Sequence, residues 1–263
     1  MEPLNYVFAP GRETGKAFSG LWTYRRLRDR TLFRPGTFDT DITLVNWPLI
    51  DYLEGDLITG DRETHLNEAK ELSRCVLYWM QREQGWKGLK PAAGVLGTDD
   101  GFALAPYIRE SRRIVARKTI TEEEVSAEHR PGARLAEEYE DSVGIGSYRI
   151  DLHPSHGGDN YVDVPSLPFR IPLGALLPLR LRNLLPAAKN IGTTHITNGC
   201  YRLHPVEWTV GEAVGELVAF ALARRRNPRQ VRRDEALLKD FQAVLTKAGF
   251  ALAWPDDVAK QPR

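Results

Sequence analysis

The sequence predicts a mixed α/β protein. Segments in which apolar residues recur at helical spacing alternate along the chain with shorter apolar segments typical of strands. The composition, with 42% hydrophobic and 27% charged residues, is that of an ordinary globular protein. A chain of 263 residues is also long enough for one large domain or two small ones.

Three helices are predicted from the spacing of apolar residues. The first covers residues 61–84, where apolar side chains recur every three or four positions. The second is expected over 209–226, because Thr209 and Glu212 have the spacing of a capping box. The third is expected at about 233–248 and follows a basic linker.

Four strands are predicted between these helices. They cover residues 112–120, 144–153, 167–177 and 181–192. The last of them is read as buried, although Pro186 weakens its middle.

Charge and cysteine content set the remaining expectations. The net charge is +1 and no run of 18 apolar residues occurs, so we expect no nucleic-acid partner and no membrane partner. Cys75 and Cys200 are the only cysteines and are read as free thiols in a reducing compartment, which predicts a cytoplasmic location.

A polar stretch between residues 190 and 208 is unusually long for a simple connection. The helix expected to follow it carries Gly211 and Gly215 in its first two turns, where each glycine costs about 1 kcal/mol relative to alanine. Two explanations fit these glycines. One is close packing against a strand, and the other is the approach of a flat ligand to free amides at the helix start.

Several ordered motifs resemble a known family. "NLLPAAKNIGTTHITNGCYRLHPVEWTVGEAVGE" resembles the C-terminal FAD-contacting segment of FAD-dependent oxidoreductases with a glutathione-reductase-like flavin fold. "YWMQRE", "PYIRESRRI" and "GSYRIDLH" are similar to that family's substrate-side region in the same order. "SGLWTYRRL" and "VNWPLIDY" fit the segment before it, so the resemblance runs from about residue 19 to residue 226.

The resemblance implies an incomplete FAD-dependent oxidoreductase fold. Family members open with a GxGxxG turn that holds the ADP half of FAD, and no GxGxxG occurs in this sequence. The expected organisation is a substrate-side region with a mixed sheet over 1–180, then a flavin-contacting strand, loop and helix over 181–226. A basic linker and a last helix fill 227–263. The expected partner is a dinucleotide-binding half, in cis or as a separate chain.

The same resemblance assigns site residues for hydride transfer between a small organic substrate and FAD. The cofactor-contacting residues it implies are Asn190, Gly192, Thr193, Thr194, Thr209, Val210, Gly211 and Glu212. The substrate-side candidates are His153, His195, His204, Arg109, Arg112 and Arg113. Each histidine also has a purely structural reading, and each arginine can simply form a surface ion pair.

Two other function classes remain open at this point. "DLHPSHGGD" offers Asp151, His153, His156 and Asp159 to a metal-dependent hydrolase, but its proline and glycines fix no ligand geometry, so no metal is predicted. A non-catalytic binding or assembly module is the other class. The arginine-rich residues 224–233 lack the aromatic residues that stack on bases and are read as a solvated linker.

Overall fold

The structure is a computed structural model that describes residues 22–23, 25–110, 112–157, 161–255 and 257–258. Its described residues form two compact units. The first contains the described residues up to Tyr107 together with residues 155–157, and the second contains the described residues of 108–154 and those from 161 onward. Each unit has its own apolar cluster.

The first unit is built around one long helix. Helix α1 spans Arg62–Arg82, and the carboxylate of its N-cap Asp61 accepts a hydrogen bond from the amide of Thr64 at 3.2 Å. The helix predicted over 61–84 is therefore confirmed. Strands β1 (Arg26–Arg28) and β2 (Ile42–Thr43) pair antiparallel. Trp47 and Met80 are the buried centre of a cluster that includes Trp22, Trp79 and Trp86.

The second unit contains two short antiparallel sheets. Strand β3 (Ser142–Gly146) pairs with β6 (Phe169–Pro172), and β4 (Ile150–Leu152) pairs with β5 (Val162–Val164). A 3-10 turn follows β6 at Leu173–Leu176. The helices of this unit are α2 (Glu122–Val125), α3 (His195–Tyr201), α4 (His204–Ala223), α5 (Pro228–Arg233) and α6 (Glu235–Lys247).

Helix α4 lies on strand β3 because two glycines of the strand leave room for it. A β-carbon at Gly144 would lie 2.4 Å from the methyl group of Thr209, and one at Gly146 would lie 2.7 Å from Val206. The ring of Phe169 would lie 2.4 Å from the same β-carbon of Gly146, and this ring stacks on Tyr201 with centroids 4.1 Å apart. These contacts join α3, α4 and the β3–β6 sheet into one core.

Two of the predicted strands are wrong. Residues 112–120 form only isolated bridges, from Ala116 to Pro178 and from Ile120 to Thr193. Residues 181–192 form no strand, since Pro186 has no amide to donate and no described strand lies beside this segment. The segments 144–153 and 167–177 do contain strands, but shorter ones than predicted, with a break between β3 and β4.

Two helix boundaries also differ from the prediction. Helix α4 begins at His204 rather than near Thr209, and Pro205 occupies its first turn, where a proline costs no hydrogen bond. The predicted basic linker contains α5, which is capped by Asn227 and begins at Pro228. The last predicted helix, at about 233–248, is confirmed as α6, which Asp234 caps directly after α5 ends. Within the described residues, no helix has both the length and the apolar content needed to cross a membrane.

Candidate functional site

The segment from Asn190 to Thr194, which was predicted to lie beside the cofactor, is held by main-chain hydrogen bonds. The amide of Gly192 donates to the carbonyl of Ala175 at 2.8 Å, and its carbonyl accepts from the amide of Ile120 at 2.9 Å. The amide of Thr194 donates to the carbonyl of Ile120 at 3.3 Å. Most of the polar main-chain groups in this segment are therefore engaged by the protein itself.

Gly192 is required by packing within the protein. A β-carbon at this position would lie 2.4 Å from the β-carbon of Ala116 and 2.4 Å from the carbonyl oxygen of Lys118. The side chain of the neighbouring Thr193 is buried, and its hydroxyl has no hydrogen-bond partner among the described residues. Asn198 is also buried; its amide group donates to the carbonyl of Lys189 at 3.1 Å, while its carbonyl oxygen has no such partner.

His195 is the first residue of α3 and is paired with a carboxylate. Thr194 caps this helix, since its hydroxyl accepts a hydrogen bond from the amide of Thr197 at 3.1 Å. The Nδ1 atom of His195 lies 2.7 Å from a carboxylate oxygen of Glu110, and both side chains are partly exposed. Glu110 lies within the arginine-rich segment, so the structure brings that segment to the start of α3.

The three candidate arginines lie on this same stretch of chain. Arg109 and Arg113 are half-buried and Arg112 is exposed. Neither of two surface depressions in the protein is lined by them or by His153, His195 or His204. Their substrate-side role therefore stays a prediction.

His153 follows β4 and borders a buried polar cluster that the sequence analysis did not find. Its ring contacts that of Tyr161 edge-on, with centroids 5.9 Å apart. Arg202, only 5% exposed, donates to the carbonyl of Asp151 at 2.7 Å and lies 3.6 Å from its carboxylate. Tyr148 donates to the same carboxylate at 3.4 Å. Burial raises the pKa of Tyr161 to about 12, and the charge of Asp151 adds to this effect.

This cluster forms because α3 lies directly on β4. A β-carbon at Gly199 would be 3.0 Å from the amide nitrogen and 3.1 Å from the carbonyl oxygen of Asp151. Arg202 is the C-cap of α3 and so is held above the same strand residue. The available sequence signals were a lone arginine in "NGCYRLHP" and an aspartate between two apolar residues in "RIDLH".

The four residues from Thr209 to Glu212 do not start a helix. Thr209 lies in the second turn of α4, and its hydroxyl donates to the carbonyl of Pro205 at 3.0 Å. An amide at that depth is bonded within the helix and cannot be offered to a ligand. Val210 is completely buried in the core, whereas Thr209 and Glu212 line a depression of about 230 Å³ beside Gly249. His204, not Thr209, is the exposed residue at the start of α4.

The loop proposed for a metal does not form a ligand set among the described residues. No group of three His, Cys, Asp or Glu side chains with metal-binding geometry occurs there. The carboxylate of Asp151 lies 3.6 Å from Arg202, and His156 belongs to the first compact unit, where its Nδ1 lies 3.1 Å from the carbonyl oxygen of Leu53. Asp159 lies outside the described residues.

Comparison with known proteins identifies the family. The family model described as FAD dependent oxidoreductase matches residues 4–245. The chain belongs to this family. No curated protein and no solved structure matches the chain.

FAD is the cofactor of this oxidoreductase family. Neither of the two depressions described among these residues suits it. The depression beside Thr209 and Glu212 is smaller than the roughly 300–1,000 Å³ typical of small-molecule sites. The second depression, of about 430 Å³, is open to solvent and is lined only by residues 84–89 of the first unit. The amides expected at Thr209 and the main chain at Gly192 are already engaged, as described above.

Proposed function

We propose that this FAD-dependent oxidoreductase chain provides the substrate side of an enzyme that transfers hydride between a small organic substrate and FAD. A dinucleotide-binding half, supplied in cis or by a separate chain, completes the cofactor site. The observation that carries the proposal is the family match over residues 4–245 in a sequence with no GxGxxG turn. The engaged main-chain groups around Gly192 support the same view, because they leave little for FAD to bind in this chain alone.

Within this proposal, His195 is the candidate for proton transfer with the strongest support. Its Nδ1 lies 2.7 Å from Glu110, and such a carboxylate fixes both the ring orientation and the tautomer of a histidine. With Nδ1 donating to Glu110, Nε2 is the atom left to accept a proton from substrate. The partial exposure of both side chains is compatible with access by a small molecule.

The reaction class is tested on the flavin-loaded assembly, purified from its native source under anaerobic conditions. Panels of alcohols, amines and hydroxy acids are added separately, and loss of the oxidised-flavin absorbance is followed. Bleaching by one class supports hydride transfer and identifies the substrate type. A loaded assembly that no organic donor reduces, although dithionite does, would contradict the proposed reaction.

The role of His195 is tested with matched histidine variants. His195→Gln is expected to slow flavin reduction by about 10²- to 10⁴-fold, because the proton acceptor is lost. Glu110→Gln should lower the rate less, because it acts through the histidine. His204→Gln is the control, since His204 is exposed and begins a different helix. Equal effects of His195→Gln and His204→Gln would remove the special role of His195.

A further inference from the structure

Three stretches of the second unit carry many arginines and no acidic residue. They are residues 112–120, the long interval between Asp163 and Glu207, and the interval between Glu216 and Asp234. The net charge of +1 for the whole chain hides this local imbalance, because the acidic residues lie elsewhere in the sequence. A partner would meet the combined charge of these stretches only where they lie together in the folded protein.

They meet at the loop from Pro178 to Leu181. The guanidinium group of Arg229 donates to the carbonyl of Pro178 at 2.8 Å and to that of Leu181 at 2.7 Å. Arg117 donates to the carbonyl of Leu179 at 3.5 Å. One loop therefore gathers an arginine from each of the other two stretches.

Four arginines at this place, Arg117, Arg182, Arg229 and Arg233, form what we call the arginine patch. Burial lowers the pKa of Arg229 from its ordinary value, and repulsion from the other three lowers it further. Within the described ranges, none of the four forms an ion pair with a carboxylate.

Other arginines close by in sequence are neutralised. Arg224 pairs with Asp240 at 2.9 Å, and Arg232 pairs with Asp141 at 2.6 Å. The protein thus provides carboxylates for Arg224 and Arg232 but, within the described residues, none for the patch. An uncompensated cluster of this kind favours an anionic partner.

Exposed apolar side chains stand among these charges. Val115, Leu179 and Leu181 are 73%, 46% and 56% exposed, and the amide of Leu179 donates to the carbonyl of Val115 at 2.7 Å. Arginines that surround protruding aliphatic side chains suit a membrane interface. The charges meet anionic headgroups there, and the aliphatic groups enter the boundary of the acyl chains.

Nucleic acid fits this surface less well. The aromatic residues of the three stretches, Phe169, Tyr201 and Phe220, are buried, so they offer no ring for a base to stack on. The exposed leucines would also make no favourable apolar contact with a phosphate backbone.

We propose that the arginine patch and its neighbouring leucines bind the surface of a membrane that contains anionic phospholipid. Leu179 and Leu181 enter the interface, and the chain lies on the membrane without crossing it. The proposal depends on this surface alone and is independent of FAD and of the reaction.

The test measures binding of the full chain to vesicles of phosphatidylcholine, with and without phosphatidylserine, by co-sedimentation. Binding is expected only to the anionic vesicles, and it should weaken as salt is raised. Arg182→Gln and Arg233→Gln should each reduce the partition coefficient about fivefold. Leu179→Ser combined with Leu181→Ser should reduce it about tenfold or more.

The control variants are Arg82→Gln and Leu104→Ser, which remove an exposed arginine and an exposed leucine from the first unit. Both should bind anionic vesicles as the unmodified chain does.

Equal binding to neutral and anionic vesicles, no binding to either kind, or full binding by the leucine double variant would overturn the proposal. Tighter binding to duplex DNA with the same arginine dependence would assign the patch to nucleic acid instead. Failure of the native-source assembly to bind, when the isolated chain does bind, would show that another polypeptide covers the patch.

Discussion

The carbonyl oxygen of Ala187 lies 3.2 Å from the place where a β-carbon at Gly211 would stand. The glycine in the second turn of α4 is therefore explained by close packing against the 181–192 segment. A β-carbon at Gly215, one turn later, would have no neighbouring atom within 4 Å. Packing thus explains Gly211 but not Gly215, although the sequence gives no sign of this difference.

This difference predicts opposite responses to substitution. Gly215→Ala should stabilise the protein by about 0.5–1 kcal/mol, because alanine loses less conformational freedom in a helix than glycine. Gly211→Ala should gain less or lose stability, and Gly211→Leu should be clearly destabilising because the side chain meets backbone. Urea unfolding gives the free energy of unfolding of each of the three variants for comparison with the unmodified chain. Equal gains for both alanine variants would show that Ala187 does not constrain α4.

The contact between the buried Arg202 and the half-buried Asp151 predicts a large stability effect. Arg202→Met should cost about 3 kcal/mol, because it leaves the carboxylate of Asp151 without its buried cationic partner. Arg149→Met is the matched control on the same hairpin, since its ion pair with Asp163 is exposed and should contribute far less. Chemical denaturation measures both free energies of unfolding. A loss for Arg202→Met no larger than that for Arg149→Met would contradict the structural importance of this contact.

The two thiols should differ strongly in reactivity. Cys75 is exposed, whereas Cys200 is buried, and burial raises the pKa of Cys200 to about 12. Because the thiolate is the reactive form, we expect one fast-reacting thiol per folded chain and two after denaturation. Ellman's reagent counts them, and Cys75→Ser should remove the fast phase entirely. A second fast thiol in the folded protein would show that α3 opens readily around Cys200.

Alkaline pH should destabilise the second unit through its tyrosines. Burial raises the pKa of Tyr161 to about 12 and that of Tyr201 well above its ordinary value. The folded state therefore keeps protons that the unfolded state releases near pH 10. This contribution to stability is complete below about pH 10 and is lost as the pH rises toward the folded-state values.

Urea unfolding at several pH values between 8 and 11 measures that loss. Tyr161→Phe should make the decline shallower, because one of the shifted groups is gone. The comparison uses the slope against pH and not the absolute stability, since the variant also changes packing. Identical slopes for Tyr161→Phe and the unmodified chain would contradict the raised pKa.

Sequence periodicity predicted the parts of the fold that depend on local pattern. Helix α1 follows from apolar spacing and the N-cap Asp61, both of which act within a few residues. The "TVGE" pattern has the spacing of a capping box and so predicts a start of α4 that is too late, whereas Pro205 marks the first turn of the helix. The strand predicted over 181–192 has the right composition but no described neighbouring strand to pair with.

The surroundings of the candidate residues depend on contacts that the sequence does not reveal. The polar loop before α4 contains a second helix, α3, which is capped by Thr194 and places His195 against Glu110. That pairing joins residues far apart in sequence, so no local pattern could reveal it. The Arg202–Asp151 contact was missed for the same reason, since it depends on how closely Gly199 lets α3 approach β4. Likewise, the arginine patch exists only where three distant stretches meet.

Flavin content tests most directly the claim that another dinucleotide-binding half completes the FAD site of this oxidoreductase. The chain is purified twice, once as the isolated recombinant polypeptide and once by an affinity tag from its native source. Bound FAD per chain is then measured by absorbance after release. We predict a colourless recombinant chain that binds added FAD weakly or not at all, and a native preparation with about one FAD per chain together with a GxGxxG-containing segment. A yellow recombinant chain with stoichiometric FAD, or a native preparation without flavin, would contradict the account.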